Sequence, residues 1–497
     1  MISFGGLGSG LDTGAIIQAL VNVERVPINL LGQQKQTQQA KFDLIGTFKG
    51  LVDSLKTAAG ELRSNDKFYD FAVTSSSETA ATIIAGATAE SGSHTLTVNS
   101  LAQADRWAFD GVLDPSTNLA SVDGEQVDFT VNGTSYSIAL TAADSSLANI
   151  SSQINSLAGD DVTSSVVNVG TESAPSYQLV IAGDSTGEDN RITGISSTVT
   201  GLTIDGTGPD GAGAAQSSNN ITVGSNAVAI IDGLTVERAT NSFGDVITGV
   251  DITVQTAELN TEVTFTVAAD KEAVKAKIQT FVDAYNEVVT FTNDQNTFTE
   301  DDGAGGELFG DSVLRSVRSS INSALFNVST ADVMADTEGY STLSLVGIKT
   351  ENDGTLLIDD TVFDDKFATN IALVADLFVD SDGFDNGGAV EGTADYYVDT
   401  TADSGLADKL YRALDLMTGS IPDGNGKSII GILDSRSTSL QERIDSIQDT
   451  IDDKERYLEI FEATQVSRFA ALEKLMGSLN AQGAALQGGL AGLQGLY

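Results

Sequence analysis

The chain is 497 residues long, with a formal net charge of −44, 41% apolar residues, no cysteine and a single histidine. Such a charge excludes nucleic acid and anionic membrane as partners, because affinity for either rests on Lys and Arg meeting phosphates. Missing cysteine excludes disulfide staples, thiolate metal sites and a cysteine nucleophile, while the apolar share suffices for buried cores in two to four domains.

The acidity is uneven. Residues 1–70 set 7 bases against 7 acids, 71–270 set 3 against 24, 271–436 set 11 against 30, and 437–497 set 5 against 9. The first 11 residues, MISFGGLGSGL, and the last 23, LMGSLNAQGAALQGGLAGLQGLY, carry no charge at all. Free termini usually fray into solvent. Uncharged, leucine-bearing ends in an acidic chain are therefore expected to be buried together, and only in an assembly. No basic start, apolar core and small-residue cleavage site opens the chain, and no apolar run approaches the ~20 residues that span a bilayer. The expectation is a protein that is not inserted in a membrane and that, if exported, bypasses the general secretory route.

In chain order, Asp12 is placed to cap a helix showing Ile16, Ile17, Leu20 and Val21 on one side and closing before Pro27. A second pattern, Ile45, Phe48, Val52, Leu55, Ala59 and Leu62, alternates spacings of 3 and 4, an a/d seam over about three heptads. From 73 to 269 the text turns to short bursts of Thr, Ser, Val, Ile and Gly. Val127, Phe129 and Val131 alternate up to Asn132-Gly133, and Tyr136, Ile138 and Leu140 alternate away, which predicts a hairpin with a type I′ turn. HTLTV, SYQLVIAG, AVAIIDGLTVERA, VDITVQTA and VTFTVAA read as further strands, Leu147 to Leu157 as a short helix, and Thr203–Asn220 as loop.

Helical spacing returns with Val274, Ile278, Phe281, Val282, Tyr285, Val288 and Val289, then with Val313 to Phe326. A hairpin is expected at Asp353-Gly354, and helical pieces near Phe363–Phe378 and Leu406–Met417. Finally Leu440, Ile444, Ile447, Ile451, Leu458 and Phe461 keep the heptad rhythm in a stretch, 432–476, free of Gly and Pro. The fold class is thus α+β and multidomain. It has a helical, coiled-coil terminal leg of paired N- and C-terminal segments, a mixed helical and hairpin middle domain, and inserted β-rich head domains. The expected division is 1–43 with 437–497 for the leg, 44–72 with 270–436 for the frame, 73–107 with 226–269 for a first head domain, and 108–225 for a second nested in it. Without a partner helix the leg segments are expected to be disordered in the monomer.

Chemistry finds little purchase. A serine–histidine triad would need His94, which sits in an alternating strand where an edge or surface imidazole is the plainer reading. Paired carboxylates could serve glycoside hydrolysis, but the acids are scattered over loops and the chain has 1 Trp. Asp380, Asp382 and Glu391 fall at positions 1, 3 and 12 of a calcium-loop spacing. Phe384 and Asp385 stand where an oxygen ligand and the turn glycine belong, so a solvated acidic loop fits better. Gly5, Gly6, Gly8 and Gly10 follow no strand and precede no lysine, unlike a phosphate loop. No enzyme activity, metal or cofactor is expected.

Six blocks in order resemble the flagellar filament cap family, hook-associated protein 2. They are GLGSGLD with IIQALVNVERVPINLL, HTLTVNSLAQADRW, DGLTVERATNSFGDVITGVDITV, FVDAYNEVV, LVGIKTENDGTLLID, and the heptad helix ending in LMGSLNAQ. The resemblance covers essentially the full length. It implies a homo-oligomeric ring on the filament tip that helps exported flagellin into place and prevents its loss. It also implies contacts with hook–filament junction proteins, a flagellar export chaperone at the C-terminal helix, and type III export to the cell exterior without a cleaved signal. On that reading the oligomer and filament contacts fall to Ile16, Leu20, Leu440, Ile444, Ile447, Ile451, Leu458, Leu486, Leu490 and Leu493. A secreted acidic adhesin with a coiled-coil stalk is the competing class; it would not require the paired uncharged termini.

Overall fold

The computed structural model describes residues 12–208, 217–257, 261–299, 304–326, 340–381, 383–390, 399–400, 405–422 and 428–494. It divides into two compact units, Met1–Phe68 with Val274–Tyr497, and Tyr69–Ala273. The first unit opens with helix α1 (Thr13–Gly60) and the single turn α2 (Asn65–Phe68). Asp12 caps α1, its Oδ1 accepting from the Ala15 N–H at 2.9 Å. The expected stop before Pro27 does not occur: Pro27 lies inside α1. A proline removes one backbone hydrogen bond and crowds the preceding turn, at ~3 kcal/mol. The apolar seam that carries on through Ile45, Phe48, Val52 and Leu55, all fully buried, outweighs that local cost. The two helical patterns read in the sequence are therefore one helix.

The second unit is β-rich. Its elements are β1 (Phe71–Ser75), β2 (Ala81–Ala85), β3 (Gly92–Ser100), β4 (Ala104–Ala108), β5 (Gln126–Val131), β6 (Thr134–Ala139), α3 (Leu147–Ala158), β7 (Val162–Asn168), β8 (Tyr177–Thr186), β9 (Thr193–Ser197), β10 (Asn220–Thr222), β11 (Ala227–Ile231), β12 (Leu234–Arg238), β13 (Val250–Val254) and β14 (Val263–Ala269). They form a five-stranded sheet ordered β1-β14-β3-β11-β12, a four-stranded sheet β10-β4-β8-β7, a three-stranded sheet β6-β5-β9 and the pair β13-β2. The pairings within them are antiparallel. Strands β1 and β14 pair Phe71 with Ala269, and the Asp270 N–H donates to the Asp70 carbonyl at 2.7 Å. The chain thus leaves and rejoins at one place.

Two hydrophobic cores lie within this unit. One gathers Leu96, Val98, Ala229, Phe243, Ile252 and Phe265; the other gathers Trp107, Phe129, Ile150, Ile154, Leu179 and Ile181. Burial alternates along β5, with Val127, Phe129 and Val131 inward, as period-two patterning requires. The β5–β6 turn has φ 50° at Asn132 and 76° at Gly133, the left-handed pair of a type I′ hairpin. Asp232 and Gly233 repeat that geometry, φ 49° and 78°, between β11 and β12.

The first unit resumes with α4 (Lys271–Asn296), α5 (Ser312–Phe326), α6 (Asp360–Thr369), α7 (Ile371–Phe378), α8 (Leu406–Thr418) and α9 (Ile432–Gln494), with short hairpins at 298–305, 348–358 and 420–430. Asn370 separates α6 from α7, its side chain capping the second. The core of this unit includes Phe48, Phe68, Phe281, Phe363, Phe378, Leu410 and Leu414, with Phe48 stacked on Phe291 at 5.2 Å between centroids.

Candidate assembly surface of the terminal helices

The site is the pair of helices that begins and ends the described chain. Lys49 Nζ meets Asp434 Oδ1 at 2.5 Å and Lys35 Nζ meets Gln448 Oε1 at 2.6 Å. Stepping 14 residues back along α1 takes 14 residues forward along α9, so the helices run antiparallel in one register. Leu440, Ile444, Ile451 and Leu458 are buried on α9, as is Val21 on α1; Ile447 is half-buried. The expectation of disorder in a lone chain assumes no partner helix; here the two segments are helical and paired with each other. α1 is the partner helix that expectation lacked, and burying each large apolar side chain of the seam contributes ~1.5–3 kcal/mol toward ordering.

Past that seam the register exhausts α1. Carried on from Lys35–Gln448, it sets Thr13 opposite a residue near position 470 of α9, and α9 continues to Gln494. At 1.5 Å per residue that overhang is roughly 35 Å. Nearly every described side chain on it is exposed. Leu472, Leu475, Leu479, Leu486 and Leu490 stand at 43–68% of full exposure. The glycine-rich tail is helical through Gly477, Gly483, Gly488 and Gly489, where an added Cβ would meet nothing within 4 Å beyond the helix's own backbone. Leu493 lies in the helix but its side chain is outside the described set, as are Leu496 and the uncharged residues 1–11. On α1, Ile16, Leu20, Val23, Val26 and Leu30 are likewise exposed.

The sequence-derived contact residues thus divide. Leu440, Ile444, Ile451 and Leu458 are taken up by the intramolecular seam, while Ile16, Leu20, Leu486 and Leu490 remain available. Val23, Val26 and Leu30 were not singled out, because the expected stop at Pro27 hid the continuous stripe they belong to.

The chemical candidates resolve differently. His94 sits on β3, the central strand of its sheet rather than an edge. Its Nδ1 lies 2.7 Å from Asp232 Oδ2, and Asp232 Oδ1 also accepts the Thr95 N–H at 2.8 Å. The pair ties the β11–β12 turn to β3, and those bonds hold the Asp232 carboxyl below its usual range against a desolvation that opposes them. In the calcium-like loop, Asp382 and Glu391 lie outside the described residues. Asp380 instead joins Asp399 and Asp408, with carboxylate oxygens within 4.8 Å of one another. Asp408 is answered by Arg412 Nε at 2.5 Å and Arg63 Nη1 at 4.0 Å, so arginine meets much of that charge. One polar knot escaped sequence reading altogether. Buried Asp105 accepts from Trp107 Nε1 at 2.6 Å, Gly224 N at 2.8 Å, Ile192 N at 3.0 Å and Asn220 Nδ2 at 3.1 Å. No periodicity signals such a residue.

Paired terminal helices with exposed apolar faces, joined in one chain to an acidic β-rich insertion, define the architecture of an assembly protein. Family models say which assembly. The flagellar hook-associated protein 2 C-terminus matches residues 224–481 and the N-terminus of the same family matches residues 9–105; the chain belongs to the flagellar hook-associated protein 2 family. It is 28% identical to the B-type flagellar hook-associated protein 2 of Pseudomonas aeruginosa, over 98% of this chain and 97% of that one. It is 27% identical to the flagellar hook-associated protein 2 of Escherichia coli K12, over 72% of this chain and 76% of that one. In fold it is similar to the crystal structure of the D1-D2-D3 domains of the Escherichia coli flagellar cap protein FliD. That likeness has a TM-score of 0.59 at 24% identity, over 80% of this chain and 99% of that one. Among the described residues no helix is long and apolar enough to cross a membrane.

Proposed function

We propose that this chain caps the distal tip of the bacterial flagellar filament as a homo-oligomeric ring, helping exported flagellin into place beneath it and preventing its loss. The observation that carries the reading is the overhang of α9, which carries no charge from Leu475 on. It is an exposed helix bearing Leu475, Leu479, Leu486 and Leu490 on a chain of net charge −44. Exposed apolar stripes of that kind mark protein contacts, and burying uncharged residues incurs little desolvation cost. The role is structural. Membership of a flagellar family displaces the adhesin alternative, which gave no reason for the uncharged ends.

Within this function, Ile16, Leu20, Leu486, Leu490 and Leu493 are the candidate filament contacts, while Leu440, Ile444, Ile447, Ile451 and Leu458 set the antiparallel pair that presents them. Contacts with the hook–filament junction proteins, an export chaperone on α9, and type III export without a cleaved signal belong to the same reading. So does the four-part division into leg, frame and two nested head domains, supported by the two separate cores of the β-rich unit. Electron microscopy of the purified full-length protein mixed with its own filaments tests the function. Rings seated at one end of each filament are expected; free protein beside bare ends would contradict it.

A further inference from the structure

The acidic β-rich unit has a face that its core does not use. In the four-stranded sheet β10-β4-β8-β7, Leu179 and Ile181 point into the core, and α3 packs on that side through Ser151 Oγ and Asn155 to Ser164. The opposite side is open. Arg106 on β4 pairs in register with Ala182 on β8 and Thr222 on β10, and Ser165 on β7 with Val180 on β8. These residues floor a groove of about 570 Å³. Three apolar side chains stand exposed along it, Val167 at 43%, Val169 at 57% and Ile221 at 53%. Clustering on one side of one sheet distinguishes them from the scattered exposed apolar residues that any surface carries.

Charge identifies the occupant. Residues 71–270 contain three basic residues, Arg106, Arg191 and Arg238, against 24 acids. Arg191 pairs with Glu188 and Arg238 with Asp245. Arg106, exposed in the groove, makes no ion pair among the described residues. Val167, Val169, Val180 and Ile221 line the groove with Arg106, and its one carboxylate, Asp184, accepts from the Thr163 hydroxyl at 2.7 Å; a guanidinium without an ion partner there fits a carboxylate-bearing surface, since a fork of five donors recognises carboxylates and its planar body lies on apolar neighbours. The chain supplies such surfaces itself, being acidic almost everywhere outside its ends.

On the β7 edge the outward backbone N–H and C=O of Ser164 are both taken by the Asn155 side chain, at 2.6 and 2.9 Å. On the other edge β10 spans only Asn220–Thr222. With one edge capped at Ser164 and the other short, the edges offer little for strand pairing compared with the face. We propose that this Arg106-centred face seats a carboxylate-bearing surface of a second copy of the chain. The contact is heterologous, the kind that closes into a ring when the rotation permits. The inference rests on the ring reading above and names the surface that joins its subunits.

Sedimentation velocity of the full-length protein across a concentration series tests it, with Arg106→Glu, Val167→Asp and a control, Val122→Asp, exposed and outside the groove. Substitutions at these exposed positions leave the cores intact. Arg106→Glu and Val167→Asp should each weaken self-association roughly ten-fold or more, and added salt should weaken the wild type while Val122→Asp matches it. A photo-crosslinking residue at 167, irradiated on filaments, should give chain–chain adducts. Wild-type self-association by both groove variants, or adducts formed with flagellin instead, would overturn the proposal. Filament capping scored on the same samples separates the two readings: caps that persist in groove variants of unchanged association remove this interface and leave the capping function standing.

Discussion

The two ends of the molecule and its insertion handle apolar surface in opposite ways. In the β-rich unit the alternating residues of β5, β8 and β14 close on cores within the unit, and the excess acid is left to water. The terminal helices close only part of theirs. Leu440 to Leu458 are buried against α1, whereas Leu472 to Leu490 stand exposed. The difference follows from register: α1 begins at Thr13 and α9 runs to Gln494, so one helix outlasts the other. An unclosed apolar face is tolerable where another molecule completes it. Most of the insertion's apolar surface is closed within its own unit, whereas the overhang of α9 is left open along its length.

Substitutions sharpen that contrast, and the largest effects belong to closed cores. Phe48→Ala empties a fully buried position stacked on Phe291 and should cost about 3–5 kcal/mol in the unfolding of the helical unit, measured in denaturant. Asp105→Ala strips the acceptor from four donors and should destabilise the β-rich unit by about 1–3 kcal/mol, read from the shift of its thermal transition.

Acid should loosen the insertion before the helices. The Glu125 carboxylate accepts from the Ser121 hydroxyl and the Thr200 N–H, which draw its pKa down to about 2 from an ordinary 4.5. Its folded pKa lies below the unfolded one, so the stability it contributes is present above about pH 4.5 and is lost as pH falls toward 2. Circular dichroism of Glu125→Gln should show a flatter loss of β-unit stability across that window than the wild type. The smallest expected effect is on the overhang. Leu486→Asp with Leu490→Asp alters two exposed positions and should change the stability of the isolated chain by less than about 0.5 kcal/mol. A shift of several kcal/mol would mean that these leucines are already covered in the lone chain.

Legibility in the sequence follows the same divide. Where the buried residues follow a regular spacing, pattern sufficed: Asn132-Gly133 specified its turn, the heptads of 45–62 specified a buried face of α1, and those of 440–461 specified the α9 side of the seam. Where the outcome depends on distant partners, it did not. Pro27 reads as a stop because its local cost is visible while the α9 face that outweighs it lies hundreds of residues away. His94 reads as an edge or surface imidazole; its side chain is part-exposed, while the place of β3 between β14 and β11 depends on non-local sheet order. Asp105 was silent because, beyond the neighbouring Trp107, its donors come from Ile192 and from the 220–224 stretch, 87 to 119 residues away in sequence. Of the assembly surface, the uncharged tail and its leucines were legible, but the split between seam and overhang required the register.

The central claim is that the overhang of α9, uncharged from Leu475 on, grips the filament. Truncation before Leu475 tests it most directly, in cells whose only copy of the gene carries it. The shortened protein should fold and still be exported, because the seam ends earlier, at Leu458. It should fail to hold flagellin at the tip, so that flagellin monomers accumulate in the medium, filaments are short and swimming is poor. Normal filaments, normal motility and no excess flagellin in the medium would contradict the anchoring role of the overhang.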